Sequence, residues 1–137
     1  NKKGTLADYF TGEPGNFDIV AFQAVTVGSK IMDAIQKLNS EKEFTKAYLL
    51  HGVSVHLAEA LAEYVHNIVR TELKLKSDQG KRYSPGYPLW EDIKDQQKIF
   101  KLLEVEKRLN VRLSESFQMI PEASTTAMII YNDRAEY

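Results

Sequence analysis

The 137-residue sequence has no cysteine, which rules out disulfides, thiolate zinc sites and cysteine nucleophiles. It lacks an excess of one charge: 18 basic and 19 acidic residues leave a formal net charge of -1. They are interspersed, so no basic stripe is available to hold a phosphate backbone, and nucleic acid is excluded as a partner. No apolar run approaches the ~20 residues needed to cross a bilayer. The opening Asn1-Lys2-Lys3-Gly4-Thr5 has no apolar stretch of the kind a signal peptide carries. These absences together point to a cytoplasmic chain with no membrane partner.

Glycine and proline are also sparse, at seven and four, and their positions divide the chain. The Gly12–Asn16 turn cluster precedes the β-branched stretch Asp18–Val27, predicted to be a strand. Ile31, Met32, Ile35 and Leu38 recur at helical spacing, with Ser29 placed to cap the start and Asn39-Ser40 to close it. From Glu43 to Lys76 no proline interrupts a helical stripe through Leu50, Leu57, Leu61, Tyr64 and Ile68. One long helix is expected there, loosened at Gly52, where glycine costs ~1 kcal/mol relative to alanine.

Two glycines and two prolines between Ser77 and Pro88 predict a shaped loop. Ile99, Leu102, Leu103 and Val105 or Leu109 then mark a helix opening near Asp92 to Asp95 and stopping at Asn110. Val111–Leu113 and Thr125–Tyr131 read as one or two strands. Apolar and charged shares of 43% and 27% are those of an ordinary globular protein. The whole, residues 1–137, is expected to be a single α+β domain with a twisted antiparallel sheet and long helices.

Motifs for chemistry are few. Glu63 and His66 are three apart on the long helix and would supply half of a carboxylate-bridged di-iron site. The matching pair is missing, because the later helix contains no histidine. No serine sits in a Gly-x-Ser-x-Gly elbow, and there is neither a Gly-x-Gly-x-x-Gly turn nor a Walker loop. What stands out is Arg82–Pro88: a backbone fixed by proline and glycine beside a guanidinium whose planar donor fork suits a carboxylate. Glu59, in the middle of the long helix, would attract a cation if it lined a pocket.

Arg82-Tyr83-Ser84-Pro85-Gly86-Tyr87-Pro88, Leu102-Leu103-Glu104-Val105-Glu106-Lys107 and Leu113-Ser114-Glu115-Ser116-Phe117, in this order and spacing, resemble the activation domain of cobalamin-dependent methionine synthase. The similarity extends upstream through Leu57–His66 and Thr5–Phe10, nearly the whole chain. The resemblance implies a C-shaped α+β domain with a shallow groove for S-adenosylmethionine. That ligand donates its methyl to cob(II)alamin held by a cobalamin-binding domain or corrinoid protein, with flavodoxin or a similar reductase delivering the electron.

Carried over by position, Arg82 would bind the methionine carboxylate, and the Ser84, Pro85, Gly86 and Tyr87 backbone would contact the ligand, adenine included. Glu59 falls near the sulfonium, and Tyr137 matches a ligand-contacting tyrosine. The resemblance assigns no catalytic side chain and no metal ligand: the chain supplies binding and positioning to a methyltransferase. The family's Asp-Trp-Thr-Pro-Phe-Phe-like segment has no match here, and the C-terminal end is short. An interaction domain that docks a corrinoid protein or flavodoxin without binding ligand is the alternative.

Overall fold

The computed structural model describes residues 5–15, 17–76, 79–132 and 135. Its central strand is the last. β5 (Ser124–Ile130) pairs antiparallel along its full length with β1 (Val20–Thr26), from Val20 opposite Ile130 to Thr26 opposite Ser124. On its other side it pairs with the short β2 (Lys81–Tyr83), where Arg82 lies opposite Ile129. The order β1-β5-β2 leaves β5 hydrogen-bonded on both edges, and every residue of β5 except Thr125 is buried.

Helices cover both faces, and side-chain alternation decides which residues meet them. On one face lies α2 (Phe44–Glu72), to whose Ala62 carbonyl the Gln23 amide donates at 3.3 Å. Gln23, its partner Ala127 and Arg82 therefore face α2. On the other face Thr126 donates to Gln96 of α3 (Gln96–Leu103) at 2.5 Å. That side holds the apolar cluster of Tyr83, Met128, Ile130 and Ala135, closed over by Tyr9, Phe10, Leu89 and Trp90.

The long helix runs unbroken for 29 residues. Its buried face is Ser54, Ala58, Ala62 and His66, one residue per turn, and the small side chains at three of these positions let it lie close to the sheet. Gly52 does not interrupt it, since helix on both sides and tertiary packing outweigh one weak position. α1 (Lys30–Ser40) forms where its helical spacing predicts and packs back on α2. Ser29, however, makes no side-chain cap; its backbone is already helical, and its carbonyl accepts from Met32 and Asp33 instead.

Two other expectations are corrected. The segment 77–88 is not loop throughout, because Lys81–Tyr83 form β2; an edge strand of three residues fits between Gly80 and Pro85 without using either. The predicted single helix to Asn110 is two, α3 and α4 (Val105–Leu109), separated by Glu104 in a left-handed conformation, φ 51°. Asn110 does end α4, with φ 54°. β3 (Arg112–Leu113) and β4 (Met119–Ile120) form a small separate hairpin.

Candidate functional site

Because side chains alternate along a strand, Tyr83 enters the apolar cluster while Arg82 turns to α2. There Glu59 and Glu63, one helical turn apart, approach its guanidinium at 3.9 and 3.4 Å. Glu63 is shared with Arg70, two turns further along, at 2.8 Å. Arg70 also donates to the Asn67 side chain and to the Gln79 carbonyl, both at 2.8 Å, and to the Gly80 carbonyl at 3.4 Å. One arginine thus ties the entry of β2 to the helix that faces it. Burial raises the Glu63 pKa, but the Arg70 hydrogen bond and the charges of Arg70 and Arg82 outweigh it and hold the carboxyl below its ordinary value. Glu63 is an anion here, bracketed by two cations.

Beneath this pair lies His66, fully buried, with neither ring nitrogen hydrogen-bonded. Burial, then the positive charge of Arg70, lower its pKa to about 4 against the opposing pull of Glu63. The imidazole is therefore neutral at pH 7. Gly80 passes directly over it with φ +80°; a Cβ there would stand 2.8 Å from the Tyr131 ring and 3.1 Å from His66 Nε2. Only glycine fits that crossing. The Glu63–His66 pair is thus divided between an arginine cluster and the buried interior, and no group of three His, Asp or Glu side chains that could hold a metal ion occurs among the described residues.

The opposite wall is the turn after β2. Ser84 donates to the Thr126 carbonyl at 2.6 Å, and the Gly86 amide to the Trp90 carbonyl at 2.8 Å. Gly86 has φ +92°, a conformation that the turn requires. The Trp90 amide closes on the Tyr87 carbonyl at 2.8 Å, and its indole on Asp95 at 2.6 Å. Hydrogen bonds from Lys98 and then Trp90 hold the Asp95 carboxyl below its ordinary pKa.

Between the walls is an open, mostly apolar cavity of about 440 Å³, within the range of small-molecule sites. Glu59, Arg82, Ser84 and Tyr87 line it. Pro85 and Gly86 do not; Pro85 is buried and Gly86 shapes the turn. Tyr137 lies outside the described residues. Sequence reasoning missed Gln23, Leu89, Trp90, Thr125 and Ala127 in the lining and Arg70 behind it, and considered Glu63 only as half of a metal pair. Gln23 carried a signal, being a lone amide within an apolar strand. So did Glu63, one turn from Glu59.

A guanidinium flanked by carboxylates and the aromatic rings of Tyr87 and Trp90 thus line one mostly apolar cavity in a mixed domain of helices and antiparallel sheet. Over residues 1–137 the chain matches the family described as vitamin B12 dependent methionine synthase, activation domain, and it belongs to that family. It is 35% identical to methionine synthase of Mycobacterium tuberculosis and 33% identical to that of Mycobacterium leprae, in each case over 91% of this chain and 12% of the relative. The chain thus spans about an eighth of the length of these relatives. Among solved structures it is similar to the MetH reactivation domain bound to AdoHcy, with a TM-score of 0.79 and 30% identity over 86% of this chain and 41% of that one.

Proposed function

We propose that the cavity between Arg82 and Trp90 binds S-adenosylmethionine and presents its methyl group for reductive remethylation of cob(II)alamin in methionine synthase. The observation that carries the reading is Arg82: a cation with carboxylates on one flank, at the mouth of an apolar slot. Its remaining donors suit the ligand's carboxylate, a charge-assisted pairing of the strongest kind. Glu59, more weakly held at 3.9 Å, is the carboxylate left to face the sulfonium. Tyr87, Leu89 and Trp90 offer flat apolar surface to the adenine. The solved domain that this chain resembles binds AdoHcy, the demethylated form of the same ligand.

The role of these side chains is to bind and orient, which lowers the barrier by converting a chance encounter into a held geometry. Cobalamin, held by a partner domain or chain, supplies the metal chemistry, and flavodoxin or a similar reductase the electron. Trp90, the only tryptophan, is a built-in reporter. Titration with S-adenosylmethionine is expected to change its fluorescence saturably, and Arg82→Ala to shift the midpoint to much higher ligand. A flat titration, or an unmoved midpoint, would overturn the assignment.

A further inference from the structure

Arg82 on its own would not choose its ligand. A guanidinium fork takes a carboxylate or a phosphate with the same two-point geometry. What separates the two is the charge already standing around the fork. Glu63 and Glu59 approach the same nitrogen of Arg82, Nη2, and Glu63 is the closer, at 3.4 Å against 3.9 Å.

The two carboxylates are not equivalent. The Glu59 side chain is 63% exposed and is paired only with Arg82 among the described residues, so it can turn to a cationic ligand. Glu63 has its other oxygen, Oε1, on Arg70 Nη1 at 2.8 Å. Arg70 is only 12% exposed and is itself fastened to the Gln79 and Gly80 carbonyls and the Asn67 side chain. Swinging Glu63 away would leave that arginine without its counter-charge in a poorly solvated place, which is costly. Its negative charge therefore stays beside Arg82 whatever enters the cavity. Glu59, Glu63, Arg70 and Arg82 sum to zero, and the charge of Arg82 is already answered. A ligand whose carboxylate is offset by its own cation adds no net negative charge there. A nucleoside phosphate adds several, facing two carboxylates, and is repelled.

We infer that Glu63 is the specificity-determining residue of this site: locked by Arg70 beside Arg82, it admits zwitterionic adenosine ligands and turns away nucleoside phosphates. This selectivity rests on the cavity binding an adenosine ligand, as proposed above. Three ligands that share the adenosine and differ in charge test it by calorimetry: S-adenosylhomocysteine, adenosine and ADP. The wild type should bind S-adenosylhomocysteine tightest and ADP weakest. Glu63→Gln keeps the size of a half-exposed side chain and removes its charge. It should tighten ADP by about tenfold, weaken S-adenosylhomocysteine a few-fold, and leave adenosine unchanged, the sign of an intact cavity. Glu41→Gln, the same loss of charge at the end of α1, should change none of the three. ADP that stays as weak in Glu63→Gln as in the wild type, while both bind S-adenosylhomocysteine, would overturn the role of Glu63 and leave the cavity reading standing. A gain for ADP that adenosine or Glu41→Gln matches would overturn it as well, since packing or net charge would then be the cause. A wild type that binds none of the three would remove the cavity reading and this role with it.

Discussion

The two walls of the cavity are built on different principles. The Arg82 wall is a chain of ion pairs, Glu59 and Glu63 on one helix with Arg70 and Arg82 on either side, standing on a buried neutral histidine. The Tyr87–Trp90 wall has no comparable charge and is held by turn hydrogen bonds and one indole–carboxylate contact. Electrostatic geometry is directional, whereas apolar surface tolerates displacement. The first wall should therefore set affinity and selectivity, the second mostly contact area.

The largest expected effect follows from removing the guanidinium. Arg82→Ala should weaken S-adenosylmethionine by about a hundredfold, or about 2.7 kcal/mol, as loss of a charged hydrogen-bonding partner does. Equal affinities by calorimetry would break the comparison. Arg70→Gln comes next: it frees Glu63 and unties Gln79 and Gly80, at a cost of about 2 kcal/mol in stability by urea titration. Ligand should weaken with it, because Arg82 loses its brace.

Acid gives a third handle of similar size. His66 binds its proton at about pH 4 in the fold and near 6.5 when unfolded, so between these values only the unfolded chain gains the proton. Stability is full above pH 6.5 and falls as pH drops towards 4. The loss should be about 2 kcal/mol at pH 5 relative to pH 7, and His66→Leu should flatten that part of the urea-midpoint profile. A wild-type profile level across this range would contradict the effect of burial on His66. The smallest effect belongs to the apolar wall. Asp95→Ala removes the Trp90 anchor and should cost about 1 kcal/mol in stability and only a few-fold in affinity; a loss matching that of Arg82→Ala would reverse the ranking of the walls.

How much of this was legible beforehand depends on the range of the forces involved. The long helix was readable because no proline occurs between Glu43 and Lys76 and the apolar period holds throughout. The antiparallel sheet followed from two β-branched stretches. β2 was hidden, since three residues next to glycine and proline carry no strand period, and Arg82 becomes strand only by pairing with Ile129. The break at Glu104 was hidden for the opposite reason: Leu102, Leu103 and Val105 keep the helical period across it. Arg82 and Glu59 stand out by their own chemistry and Ser84 and Tyr87 through the resemblance, and all four line one cavity. Arg70 and Trp90 do not, because their roles exist only once residues far apart in sequence are brought together.

The most direct test of the charged wall is a calorimetric comparison of S-adenosylmethionine with S-adenosylhomocysteine on the wild-type chain and on Glu59→Gln. The two ligands differ in the sulfonium charge that, in the proposed binding mode, Glu59 faces. The arrangement predicts tighter binding of the sulfonium by the wild type and a preference that shrinks in Glu59→Gln. Equal preference in both chains, or no binding of either ligand, would contradict it.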